Sequence, residues 1–180
     1  TPREPFHFDV TPAKANAPNT FEVVAARKSP FTLEVYAESD TEAWFFERKE
    51  LATSHRIPLL GLGVEKAWTV QATLFDEDGS AFETKPREIL TPSLPVNFPI
   101  LTELMGTPRP LGNGYLLFDL KTGSDVYNYI VILNADLEVV WWREDPIGCS
   151  DLHQTAQATI KGICNNLVTE MLLTGETMSR

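Results

Sequence analysis

Tyr127-Asn128-Tyr129-Ile130-Val131-Ile132-Leu133, followed by Asn134-Ala135-Asp136 and then Glu138-Val139-Val140-Trp141-Trp142-Arg143, is the stretch whose reading decides the fold. Its first part is apolar nearly throughout, the pattern of a strand buried on both faces. The Asn-Ala-Asp triplet is a turn, and the run after it is a second strand. The same texture continues on both sides. Gly114–Asp119 reads as a strand and Lys121–Ser124 as a turn. Thr155–Cys164 is a further strand, Asn165-Asn166 a turn and Leu167–Leu173 a strand, and Thr174-Gly175 turns into a stub that ends at Arg180. Strands separated by short polar turns predict a meander, and four such strands are the blade unit of a β-propeller. A propeller takes about 4–8 blades of about 40–50 residues, so residues 111–180 supply roughly one and a half of them. The chain is therefore either a fragment of a larger protein or no propeller at all, and the expectation taken forward is the beginning of a propeller within such a fragment.

Upstream the period is again two. Phe6–Val10 reads as an edge strand and Phe21–Ala25 as a strand. In Phe31–Ala37 the residues Phe31, Leu33, Val35 and Ala37 share one face. Ala43–Glu47 and Ile57–Leu60 are short candidates, and Ala67–Phe75 carries Trp68, Val70, Ala72 and Leu74 on its apolar side. Asp76-Glu77-Asp78-Gly79 marks a hairpin, because Asp-Gly tolerates the positive φ of a tight turn. A solvated turn explains these acids better than calcium, whose full loop pattern is absent. The partner strand runs to about Ile89, with Pro86 making its later half an edge or a bulge. Six or seven short strands with turns every 8–12 residues predict a small β-sandwich over residues 1–93. Pro92, Pro95, Pro99, Pro108 and Pro110 then mark residues 94–110 as a linker, with one helical turn near Leu101–Met105.

Composition narrows the function classes. The chain has 180 residues and a formal net charge of -10, with a pI near 4.7. Residues 1–93 hold 15 acids and 10 bases and residues 94–180 hold 10 and 5, so each part stands near -5. An acid excess spread this evenly argues against a nucleic-acid surface, which needs clustered Lys and Arg. No apolar run approaches the roughly 20 residues of a membrane-spanning helix. Cys149 and Cys164 are too few for a disulfide scaffold; they form one bridge or two buried thiols, and nothing in their spacing resembles a zinc site.

Tyr129–Trp142 resembles the "ivDxdGevvWy" repeat of bacterial arylsulfotransferase-like proteins, and Leu173–Met178 resembles a second occurrence. Leu60-Gly61-Leu62, Ala67–Ala72 and Asp76–Gly79 resemble the end of a fibronectin type III-like sandwich. The chain departs from the repeat at Leu137, where Gly is preferred, and at Ala158 and Lys161. The resemblance implies a periplasmic or secreted protein that moves a sulfuryl group between phenolic compounds, with no cofactor and no nucleotide donor. It implies the remaining propeller blades as partners, a small phenol or aryl sulfate as substrate, and a principal nucleophile beyond Arg180. The alternative is a non-catalytic binding scaffold.

Sulfuryl transfer in that family runs through a histidine, because a neutral imidazole is a nucleophile. His153, in Asp151-Leu152-His153-Gln154-Thr155, is the candidate here; an extended strand puts Asp151 and His153 on one side. The bland reading gives His153 a loop hydrogen bond and Asp151 a turn cap. Arg143 is a candidate for an anionic substrate, against an ordinary strand-end ion pair. Trp141 and Trp142 point to opposite faces. One is core, and the other, taken as Trp142, is either core or a substrate-facing aromatic. His7 and His55 read as surface histidines.

Overall fold

A computed structural model describes residues 5–13, 17–101, 114–121, 128–145, 148–156, 159–174 and 177–179. These residues are all β, with thirteen strands in three sheets and no helix. The first sheet holds β1 (His7–Pro12), β2 (Phe21–Glu38), β3 (Ala43–Leu59), β4 (Ala67–Phe75), β5 (Ala81–Glu83) and β6 (Arg87–Leu90), all paired antiparallel. The sequence reading divides β2 and β3 into four short strands. In the structure each is continuous, 18 and 17 residues long, because the backbone stays extended through Arg27–Pro30 and the register shifts between Ala26 and Phe31 absorb the break. Such bulges bend a strand and sharpen its twist.

The bend sets the shape. Residues 21–26 of β2 pair with β1, residues 32–38 pair with β4, and β3 follows β2 along its other side. The six strands therefore form one hydrogen-bonded sheet that curls into a half-barrel, where two separate facing sheets were expected. Its concave side encloses one core, with Phe8, Val23, Ala25, Ile57 and Leu59 from one arm and Leu33, Val35, Val70, Ala72 and Leu74 from the other. Arg27 braces the corner. Its guanidinium donates to the carbonyls of Ser29 (3.0 Å) and Pro30 (2.8 Å), pairs with Asp76 of the β4–β5 turn and lies over the Phe31 ring at 4.9 Å. His55 is no surface histidine. It is buried on β3, Nε2 lies 2.8 Å from Phe31 O, and its ring meets the Phe31 ring edge-on. Pro86 does interrupt the return strand, leaving β5 and β6 as separate pieces that both pair with β4.

The second sheet is the meander β7 (Leu116–Lys121), β8 (Asn128–Leu133) and β9 (Val139–Glu144). The third is the meander β10 (Cys149–Gln154), β11 (Thr159–Cys164), β12 (Leu167–Leu172) and β13 (Thr177–Ser179). Asn165 and Asn166 close the β11–β12 hairpin at φ 51° and 61°, a two-residue turn in which Asn tolerates positive φ. The near-continuous apolarity of β8 has a direct cause. Ile130 and Ile132 face the third sheet with Trp141, Ile160 and Met171. Tyr129, Val131 and Leu133 face the other way, toward Val64, Leu94 and Phe98.

Within the described part of the Pro-rich stretch, Leu94 and Phe98 pack against the second sheet, with the Phe98 ring 4.8 Å from that of Tyr129 and the Tyr129 hydroxyl donating to Asn97 Oδ1 at 3.1 Å, while Val96 and Ile100 stay exposed. Leu101 is not helical, and the rest of the expected turn lies outside the described residues. The β1–β2 loop reaches across as well. Ala17 enters the core between the second and third sheets, Asn19 Nδ2 donates to Val140 O at 2.7 Å, and Thr20 Oγ1 donates to Leu173 O at 3.3 Å.

Candidate binding cavity

Where the curled sheet meets the two meanders there is a cavity of about 570 Å³. Trp44 of β3 and the Leu60-Gly61 corner form the wall from the first sheet. Tyr115, Leu117, Ile132, Val140 and Trp141 come from the second sheet and its leading residues. Leu152, His153, Gln154, Ile160 and Leu173 come from the third sheet and its β12 end. Among the described residues the lining carries two Trp, one Tyr and one His, and no Asp, Glu, Lys or Arg. Such a space favours a flat apolar molecule, held by ring contacts and oriented by the few polar groups at its edge. Trp141 is fixed in place by its indole N–H, which donates to Leu173 O at 2.8 Å.

His153 belongs to this lining, but its local geometry differs from the expected extended strand. Asp151 sits at φ 51°, and the β10–β11 register shifts between Ser150 and His153. This bulge breaks the alternation that would have put Asp151 and His153 on one side. The Asp151 carbonyl oxygen, not its carboxylate, meets His153 Nδ1, at 3.3 Å. A carbonyl only accepts, so Nδ1 is the donor in this contact. Gly162 makes the bulge possible: a Cβ there would stand 2.6 Å from Leu152 Cδ2 and 3.0 Å from Ser150 O.

The other sequence candidates fall elsewhere. Trp142 does not line the cavity; it is buried on the opposite face of β9 against Tyr129 and Phe98, so Trp141 is the cavity tryptophan. Arg143 is not among the lining residues either; its Nη1 lies 3.7 Å from Met171 Sδ between the second and third sheets. Cys149 and Cys164 stand opposite each other in the β10–β11 register and form a disulfide, with Cα atoms 4.2 Å apart. Trp44 and Tyr115 are the site residues that sequence reasoning missed. They come from separate units and no local motif joins them.

No family model, curated protein or solved structure matches the chain. The site's chemistry therefore rests on its geometry.

Proposed function

We propose that this chain binds a small aromatic molecule in the cavity, as the opening part of an arylsulfotransferase-like protein in which a curled β-sheet unit precedes the first blades of a β-propeller. The observation that carries the reading is the neutral, aromatic-walled space of about 570 Å³ with His153 in its lining. The two stacked antiparallel meanders support the blade reading. So does the outer side of the third sheet, where Ile163, Val168 and Met178 are exposed and would be covered by a following blade. The Cys149–Cys164 bridge supports a periplasmic or secreted location, where disulfides persist. The portion itself is mainly structural and aryl-binding, and the remaining blades would supply the cations that a sulfuryl group needs.

One observation favours the second reading, a non-catalytic binding scaffold: among the described residues no Lys or Arg lines the cavity to hold sulfate oxygens. Titration with 2-naphthol, followed by tryptophan fluorescence, tests the binding itself. Saturable quenching is expected, with Trp141→Ala weakening it about tenfold or more, in line with an aromatic contact worth about 1.4 kcal/mol. Absence of saturable binding sinks both readings. Incubation with 4-nitrophenyl sulfate and a phenol acceptor separates them. Acceptor-dependent release that His153→Ala abolishes supports the transferase, and binding without release supports the scaffold.

A further inference from the structure

We propose that the convex face of the first sheet is a docking surface for a run of consecutive lysines or arginines on a partner protein. The antiparallel register arranges this face in rows, because residues paired across strands project to the same side. Leu33, Val35 and Ala37 of β2 and Val70, Ala72 and Leu74 of β4 fill the concave core, so the residues between them face outward. Tyr36 pairs with Phe45 of β3 and with Gln71 of β4. Beside this row lies Glu47–Glu34–Thr73–Glu83, and on its other side Ala43–Glu38–Thr69–Glu88. A groove of about 100 Å³ opens over Glu34, Tyr36, Phe45, Gln71, Thr73 and Glu83. Trp44, next to Phe45, lines the aryl cavity instead, so the two sites lie on opposite sides of β3.

Two independent features of the rows fit a basic partner. The first is charge of one sign. The rows hold five glutamates and no Lys or Arg, and among the described residues no ion pair reaches Glu34, Glu38, Glu83 or Glu88. The nearby bases are marginal: Lys49 lies 3.2 Å from Glu47 at the sheet edge, and Lys85 follows β5. Glu34 stands directly opposite Glu47, a like-charge pair that costs a sheet stability. The second feature is the pair of rings between the acids. Tyr36 and Phe45 are 43% and 60% exposed. A lysine stem lies well on such rings while its ammonium reaches a carboxylate, and a guanidinium stacks on them.

The spacing sets the length of the partner segment. Neighbouring strands lie about 4.8 Å apart, so a row across four strands spans about 14 Å, roughly four extended residues. The rows themselves stand about 7 Å apart, two residues along a strand. An extended segment laid on the aromatic row sends successive side chains to either side, so consecutive bases meet the two glutamate rows in turn. The chain's net charge of -10 draws such a partner in.

The test uses the whole chain and a fluorescein-labelled tetralysine peptide, followed by fluorescence anisotropy. Binding should saturate at one peptide per chain. Glu34→Gln combined with Glu83→Gln should weaken it at least tenfold. Phe45→Ser, which leaves every charge in place, should weaken it about threefold. Asp136→Asn combined with Glu144→Gln, an equal loss of charge on the second sheet, should leave the affinity unchanged. The urea midpoint of the Glu34, Glu83 variant should match or exceed the parent's, because a like-charge pair has gone. The proposal is overturned by binding that does not saturate, by equal weakening in the second-sheet variant, or by parental affinity in Phe45→Ser. It is also overturned by lysine amide binding as tightly as the peptide, which marks a pocket for a single ammonium group.

Discussion

Leu137 occupies the turn between β8 and β9 at φ 62° and is largely exposed. An L-residue in that region costs about 1–2 kcal/mol, and glycine avoids the cost. Leu137→Gly is therefore expected to stabilise the chain by about 1 kcal/mol, read as a higher urea midpoint with an unchanged slope. The departure was legible in the sequence as a Leu where the resembling repeat has Gly; the backbone supplies its physical meaning. Gly162 is the opposite case. Gly162→Ala drives a methyl into Leu152 and the Ser150 carbonyl, and is expected to cost about 1–3 kcal/mol. Because Leu152 lines the cavity, the same variant should also weaken naphthol binding. Strand parity told that Trp141 and Trp142 face opposite ways, but not which face meets the cavity. That depends on what packs beyond the strand, which parity does not encode.

The long β2–β3 ribbon is the element on which the first sheet depends, and Arg27 holds its corner. Arg27 is well buried, and Arg27→Ala removes its two carbonyl bonds, its pair with Asp76 and its cover over Phe31. The expected loss is about 2 kcal/mol, measured by thermal or denaturant unfolding. Acid should probe the same corner. The hydroxyl of Ser80 first, and Arg27 second, hold the Asp76 carboxyl below its usual value of 3.8. Stabilisation from a depressed carboxyl is complete above the ordinary value and fades as pH falls through the depressed one. Asp76→Asn should accordingly lower stability at neutral and alkaline pH, with the gap from the parent chain closing as pH falls through the depressed value. Sequence periodicity found Ala67–Phe75 to the residue, because nothing interrupts its alternation. It cut β2 in two because a bulge and a turn look alike locally. It missed β10 because the bulge at Asp151 destroys the period-two signal.

The whole molecule is joined across its units by Lys66, whose Nζ lies 3.0 Å from Glu42 of the first sheet's hairpin and 3.0 Å from Glu138 of the second sheet's turn. Burial alone lowers the Lys66 pKa, but hydrogen bonds and charge from the two glutamates outweigh it and raise it above 10.5. A raised lysine contributes fully below its unfolded value and loses that contribution as pH climbs through the folded one. Lys66→Met should cost about 1 kcal/mol at neutral pH, and the gap from the parent chain should close in strong alkali. Such long-range joints, and the cavity beside them, leave no local trace: Trp44 and Tyr115 become neighbours only once the sheets dock. One feature of the curled sheet reaches beyond folding. β3 pairs with β2 alone among the described strands, so its far side is an open edge 17 residues long. An open edge is a template on which another chain can polymerise. Glu47, Arg48, Lys49 and Glu50 stand along it and Pro58 withholds an N–H near its end, the devices that keep fibril growth from starting. Replacing Glu47, Arg48, Lys49 and Glu50 by Thr should leave the fold intact yet seed thioflavin-positive aggregates on standing, a hazard that the parent chain's charges hold off.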